Sequence, residues 1–366
     1  MLSCLKCLVM LPQITAVSKL YIGLDIHKKT WAVHLRTDIC DHRSMTMPPD
    51  AEKLAHYVSH HFSDHQVFIT YESGCCGFSA ARYFIERGWN VVVVNAADIP
   101  RIQKQQFQKT DRIDCRLLCR HLQQEQLKAI YIPTREQDEL RSLVRHRNTV
   151  VRQLRQVKLQ IKGMLLYHGI TIPLQYDNAN WSKSFLEWLQ NISWQYLPAA
   201  YSMHSKLRIL NSLHIEYLNC ANELRSYCRR HHKRDYYLLK SIPGIGGYLS
   251  ASIIGELGDL RRFENEDRLS AYIGMIPAMR NSGSTEKTMG ITPRGKSLIR
   301  SYLIEAAWVA VRRDPQMQAY YRRHYGKNIK NVIVKVAHKL VKRMLSVIKN
   351  ERPYQISYQQ STLKPV

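Results

Sequence analysis

Asn90-Val-Val-Val-Val-Asn95 is the segment that most narrows the folds open to this chain. Four consecutive valines offer no polar side to water, so the strand they form is covered on both faces. Such strands belong to sheets flanked by helices. The neighbouring segments supply the rest. Tyr21 to Asp25 is a short apolar run ending in a carboxylate, and Trp31-Ala-Val-His-Leu35 reads as the second arm of a hairpin. Val67 to Glu72 is another strand ending in an acid, while Phe78 to Glu86 and Asp111 to Gln126 read as helices. Strands alternating with helices predict an α/β domain over residues 20–130.

Beyond Gln137 the period changes. Leu143, Val150, Val157 and Met164 are seven apart, and Leu140, Leu154 and Ile161 fill the complementary row. This spacing predicts a long helix with a coiled-coil seam inside a linker over 131–235, with Leu207 to Tyr227 as the returning helix. The stretch holding Trp181, Trp188 and Trp194 reads as a cap or a separate packing unit. Arg141, Arg145, Arg147, Arg152, Arg155, Lys158 and Lys162 decorate the long helix with no acid between Leu140 and Lys162. Like charges at helical spacing repel unless an anion arrives, which favours nucleic-acid contact there. From Tyr236 a helix, a Pro243-Gly-Ile-Gly246 turn and a second helix open a mostly helical region over 236–350. Backbone N–H groups of Gly244 and Gly246, at the start of the second helix, suit a phosphate; a tight interhelical turn is the equal alternative. Residues 1–19 read as an N-terminal extension and 351–366 as a tail.

Charge restricts the partners. The chain carries 54 Lys+Arg against 29 Asp+Glu, a formal net charge of +25. Residues 279–366 hold 18 of those cations and 4 acids, so more than half of the excess lies in less than a quarter of the chain. A protein this basic needs a polyanion, and nucleic acid is the first candidate. Within the segment, Val332, Ile333, Val336, Leu340, Leu345 and Ile348 share an apolar face, with Lys335, Lys339, Lys342 and Arg343 mainly elsewhere. No run reaches the roughly 18 to 20 apolar residues of a spanning helix, so an integral membrane protein is not expected. Nine scattered cysteines point to a reducing compartment rather than a disulfide framework. Cys4 and Cys7 form a CxxC with no second pair at finger spacing, so no structural zinc is expected.

Four carboxylates carry the chemistry. Asp25 and Glu72 each end a predicted strand, and Asp111 and Asp114 share one face at the start of a predicted helix. Ligands of α/β sheets gather at the carboxyl ends of strands. Oxygen donors massed there suit Mg²⁺ or Mn²⁺, and paired ions are the usual clamp for in-line displacement at phosphorus. Lys109, Arg112 and Arg116 surround the DxxD, as expected if a phosphate chain passes.

These residues resemble a known family. Gly23-Leu-Asp25-Ile-His-Lys28, Tyr71-Glu72-Ser-Gly74 and Lys109-Thr-Asp111-Arg-Ile-Asp114 are similar to the three acidic motifs of the DEDD transposases of insertion sequences. The match resumes at PGIG and continues through Asp259 to Phe263, Leu269 to Pro277, Asn281-Ser-Gly283, Gly290 to Gly295 and Leu298 to Arg300. The resemblance implies an RNase H-like, RuvC-type domain whose carboxylates bind metal, joined through a helical linker to a mostly helical transposase domain. It implies a serine nucleophile, which maps to Ser282. It also implies DNA cleavage and rejoining, guidance by a structured RNA, action as a dimer or tetramer with composite active sites, and a cytoplasmic, nucleoid-associated location. Arg280, Lys287, Arg294, Lys296 and Arg300 surround Ser282 in sequence and suit a transferring phosphoryl group. No histidine or other base adjoins Ser282, so its activation falls to the metal. A water-using RuvC-like endonuclease and a non-catalytic nucleic-acid-binding protein are the alternatives.

Overall fold

The computed structural model describes residues 18–99, 111–178, 180–282, 285–324, 326 and 328–356; side chains are described for these except 111–112 and 277–289. The chain divides into two compact units, one ending at Pro133 and the other starting at Thr134. The N-terminal extension, with Cys4 and Cys7, falls outside the described residues up to 17, as does most of the tail.

The first unit is a five-stranded sheet in the order β3-β2-β1-β4-β5, built from β1 (Lys19–Ile26), β2 (Trp31–Thr37), β3 (Asp41–Met47), β4 (Gln66–Glu72) and β5 (Asn90–Val94). The first three form an antiparallel meander, and β4 and β5 add in parallel beside β1. Side chains alternate faces along a strand. Leu20, Ile22 and Leu24 therefore join Val67, Ile69 and Tyr71 in a core closed by α1 (Ala51–His61) and α2 (Ser79–Glu86). The opposite face, bearing Tyr21, Phe68 and Val92, is covered by α3 (Asp111–Gln123). The valine strand is covered on both faces as its composition demands: Val93 belongs to the first core, and Val94 packs with Ile99 and Leu118 on the other side. It lies at the sheet edge, which the chain blunts by pairing Val94 with Ala129 and Val93 with Ile130. Strand β3, mostly polar, and helix α1, whose short apolar stripe of Ala51, Leu54, Ala55 and Val58 packs on the core, are not in the sequence reading.

The second unit is mostly helical. Thr134 caps α4 (Arg135–Tyr167) by accepting from the Gln137 N–H, and Glu136 and Asp138 lie in its first turn, where the helix dipole favours acids. α4 pairs antiparallel with α6 (Leu197–His231), the returning helix, which begins ten residues before the predicted Leu207. Their far end encloses Val157, Ile161, Leu165, Met203, Leu207 and Leu210, with Trp181, Trp188 and Trp194 packed against them alongside α5 (Lys183–Gln190). Their near end is not a free linker. Leu140, Val144, Leu224 and Cys228 belong to the same core as α7 (Lys233–Lys240), α8 (Gly247–Leu257), α9 (Glu266–Ile273), α10 (Ser297–Arg313), α11 (Pro315–Arg322) and α12 (Ile329–Lys349). The heptad seam is thus used within the chain, so it supplies no separate argument for oligomerisation. The apolar face expected on α12 is buried, and Lys335, Lys339 and Lys342 are exposed. A two-stranded hairpin, β6 (Pro277–Ser282) and β7 (Thr285–Ile291), interrupts the helices between α9 and α10.

Candidate active site and nucleic-acid interface

Strands β1 and β4 run parallel with Leu24 opposite Tyr71, so Asp25 and Glu72 come one step later at the same level of the sheet. Leu24 and Tyr71 point into the first core, which sends the two acids to the other face. That face is where α3 lies. Gly23 explains how close it comes: a Cβ built there would meet the Cys115 carbonyl oxygen at 2.1 Å and the Cys119 nitrogen at 2.8 Å. Only glycine lets the α3 backbone settle on β1 at this point. The half-buried Asp114 lies in the first turn of α3, next to the Cys115 that meets Gly23. Asp111 starts the same helix, but its side chain and that of Arg112 lie outside the described set, as does Lys109 entirely.

Two buried thiols of α3 pack against β1 at this level. Burial, reinforced by the negative charge of Asp25, pushes the Cys115 thiol up to about 11, and burial pushes Cys119 to about 12. Both are protonated at neutral pH in the metal-free protein, and Cys119 Sγ donates to the Tyr21 carbonyl at 3.2 Å. His27 Nε2 lies 3.2 Å from Asp25 Oδ2, a partner with no spacing signal in the sequence. The loop after Glu72 folds over the end of β1, with Cys76 Sγ donating to the Ile26 carbonyl at 3.8 Å and Tyr71 Oη donating to the Gly77 carbonyl at 3.1 Å. Asp25 and Glu72, level on adjacent parallel strands, offer oxygen donors of the kind that suits Mg²⁺ or Mn²⁺.

In the second unit, Ser282 ends β6 and pairs across the sheet with Thr285. It therefore sits at a hairpin turn rather than in the open Gly- and Ser-rich loop the sequence suggests; Gly283 and Ser284 lie outside the described residues. Arg280 and Lys287 are register partners in the same hairpin. Its base is clamped by close backbone contacts. A Cβ at Gly274 (φ +86°) would meet the Arg294 carbonyl oxygen at 2.1 Å, and one at Gly295 (φ +110°) would meet Gly274 Cα at 2.6 Å. Arg300 Nη1 donates to the carbonyls of Gly274 (2.9 Å) and Thr292 (2.7 Å), so this cation holds the clamp. Arg294 donates its N–H to Thr292 Oγ1. Lys296 Nζ lies 3.9 Å from Glu256 Oε2 and 5.4 Å from the centre of the Tyr272 ring.

Glu256 is the acid that the local sequence hides. It is buried on α8 and accepts from Arg145 Nε at 2.8 Å, with Arg141 Nε at 3.6 Å. Arg141 also meets Asp138 at 3.1 Å, and Arg147 lies over the rings of Tyr217 and Tyr248. Three of the seven α4 cations therefore serve the fold. Arg152, Arg155 and Lys162 remain at the surface of α4, and Lys158 lies over Trp181. In the PGIG turn, Gly244 (φ +95°) admits α10: its Cβ would meet the Ala306 carbonyl oxygen at 2.3 Å. Gly246, the N-cap of α8, has open space around the position a Cβ would take.

Residues 22–169 match a DEDD, IS110-type family model described as "Transposase", and residues 236–322 match one described as "Transposase IS116/IS110/IS902 family". The chain belongs to this transposase family. The two models bracket both features just described, the strand-end acids and the clamped hairpin. Among similar proteins, y4qE of Sinorhizobium fredii is 28% identical over 66% of this chain and 58% of its own length. The transposase for insertion sequence element IS1111A of Coxiella burnetii is 28% identical over 56% of this chain and 55% of its own length. The matches thus span little more than half of these two relatives. The pilin gene-inverting protein of Moraxella bovis is 25% identical over 92% of this chain and 98% of its own length. Among the described residues no helix is long and apolar enough to cross a membrane.

Proposed function

We propose that this protein is a recombinase of a mobile element that cleaves and rejoins DNA, with Asp25, Glu72, Asp111 and Asp114 as the metal-binding centre of a RuvC-type, RNase H-like domain. The observation that carries the reading is the level placement of Asp25 and Glu72 on adjacent parallel strands, with α3 seated over the same face through Gly23. The sheet order, an antiparallel meander extended by parallel strands, supports the same assignment. Mg²⁺ or Mn²⁺ bound there would supply Lewis-acid polarisation of a phosphoryl oxygen. The four acids hold and orient the scissile region and contribute little to DNA affinity, since carboxylates repel phosphate.

Ser282 is the proposed nucleophile, joined to DNA through a phosphoserine link. Its hydroxyl oxygen forms the new P–O bond as its proton is lost, the P–O bond to the DNA 3′ or 5′ oxygen breaks and that oxygen leaves as a hydroxyl with a proton gained, and attack by a DNA hydroxyl on the phosphoserine rejoins the strand and returns the proton to serine without net hydrolysis. The clamp of Gly274, Gly295 and Arg300 anchors the base of the hairpin that carries Ser282, which supports a positioned nucleophile. Arg280, Lys287 and Arg294 are assigned to the phosphate, Lys296 and Arg300 to the base of the hairpin, and Gly246 at the start of α8 to a backbone phosphate contact. The net charge of +25 supports extended nucleic-acid partners, DNA and a structured guide RNA, bound by a dimer or tetramer with composite active sites.

The test is covalent trapping. Protein produced with the element's flanking DNA and its non-coding transcript is quenched in denaturant, and DNA-linked peptides are mapped. A Ser282 adduct, lost in Ser282→Ala, is expected. Cleaved DNA with no adduct would assign the chemistry to water, and an adduct at another residue would assign the wrong hydroxyl.

A further inference from the structure

We propose that His146, Glu216 and Cys220 form a zinc site that staples α4 to α6, a metal centre of different chemistry from the carboxylate cluster. The three ligand atoms lie within 4.8 Å of one another. Glu216 and Cys220 are one helical turn apart on α6, which puts both on the side facing α4, and His146 comes from α4 itself. Glu216 Oε1 is 3.7 Å from His146 Nε2 and 3.2 Å from Cys220 Sγ. A tetrahedral zinc ion with Zn–S about 2.3 Å and Zn–N and Zn–O about 2.0–2.2 Å separates its ligand atoms by about 3.4–3.6 Å. Both edges from Glu216 already stand close to those lengths, and the third, His146 to Cys220, lies within 4.8 Å.

The donor types select the ion. One imidazole, one carboxylate and one thiol make a mixed N, O, S set that suits zinc and is foreign to Mg²⁺. Two anionic ligands balance the charge of the ion once the Cys220 proton has left to solvent. In the metal-free protein that thiol is held up at about 11, chiefly by burial and then by its hydrogen bond to Glu216, with Arg147 acting in the opposite sense. The Arg147 guanidinium is held by the aromatic rings of Tyr217 (4.4 Å to the centre) and Tyr248 (4.0 Å). Access is graded. Cys220 is 4% exposed, whereas the side chains of His146 and Glu216 are about half exposed, at 56% and 49%. An ion can enter from solvent, meet a buried sulfur and keep a water as its fourth ligand. The site lies between the near end of the hairpin, which is part of the main core of the unit, and the tryptophan-packed far end. Metal there fixes the register of two long helices where their cores change hands.

The experiment uses full-length protein stripped with a chelator and titrated with Co²⁺ alone, because cobalt reports thiolate ligation by a near-ultraviolet charge-transfer band. One equivalent per chain is expected to give that band with tetrahedral visible absorption, zinc to abolish both, and millimolar Mg²⁺ to leave both in place. Cys220→Ser should remove the charge-transfer band. His146→Gln and Glu216→Gln, at exposed positions that cannot unfold the core, should weaken binding about tenfold or more, at least the loss typical of an outer-shell partner. Zinc should raise the melting temperature of wild type and not of these variants. Cys4→Ser/Cys7→Ser should keep the full band. No thiolate band in wild type, a band of full strength in Cys220→Ser, or its loss in Cys4→Ser/Cys7→Ser would each overturn the site.

Discussion

Replacing Glu256 by alanine tests whether the α4 cations belong to the fold. The buried carboxylate accepts from Arg145 at 2.8 and 3.3 Å, and stands 3.6 Å from Arg141 and 3.9 Å from Lys296. Breaking a buried pair by removing one partner costs about 3–5 kcal/mol, because the other charge is left uncompensated. Two features place this site near the lower bound. Arg141, itself buried, keeps Asp138 at 3.1 Å, and Arg145, with 57% of its side chain exposed, turns to water. A loss of about 3 kcal/mol in a unit of this size lowers the melting temperature by about 6–12 °C. The assay is thermal unfolding followed by tryptophan fluorescence, since Trp181, Trp188, Trp194 and Trp308 all lie in the second unit. Glu256→Gln should lose less than alanine, because an oxygen remains to accept from Arg145. A melting point within about 2 °C of wild type for Glu256→Ala would refute the reasoning.

Gly23→Ala should abolish cleavage without touching a carboxylate, because its Cβ would displace the α3 backbone and carry Asp111 and Asp114 off the sheet; cleavage assays with circular dichroism as the folding control check this. Gly274→Ala should lower both the melting temperature and adduct formation, since a side chain at φ +86° would strike the Arg294 carbonyl and free the base of the hairpin. Arg155→Ala with Lys162→Ala should weaken nucleic-acid binding at unchanged melting temperature, whereas Arg141→Ala should lower the melting temperature; fluorescence anisotropy beside thermal melts separates the two. Binding of wild type should fall about 10³- to 10⁵-fold between 50 and 200 mM salt if 6 to 10 phosphates are neutralised, and a flat response in a filter-binding series would contradict the polyanion reading.

What the sequence makes legible is what neighbouring residues decide. The valine strand, the acids that end β1 and β4, and the apolar face of α12 all follow from local periodicity, and each stands in the structure where that period puts it. Contacts between distant residues are not legible that way. Arg145 and Glu256 are 111 residues apart, so a run of cations reads as uncompensated although its counter-ion waits on another helix. Gly23 reads as one residue of a motif, and only the α3 backbone against it shows why no side chain fits. Gly244 follows the same pattern, because the phosphate reading of PGIG does not anticipate that α10 crosses at van der Waals distance. His146 and Cys220 lack the short spacing by which metal sites announce themselves, so no local pattern brings them together in the sequence.

The account rests on the carboxylate centre of the first unit, and single-turnover cleavage of element-end DNA by Asp25→Asn and Glu72→Gln, with DNA binding measured on the same samples, tests it most directly. Both substitutions keep the side-chain shape and remove the charge that holds a cation. Several kcal/mol of transition-state stabilisation should vanish, so cleavage at saturating Mg²⁺ is expected to fall by about 10³-fold or more while the dissociation constant for DNA moves by less than about threefold. Cleavage persisting at the wild-type rate in either variant would remove that acid from the site and contradict the proposed centre.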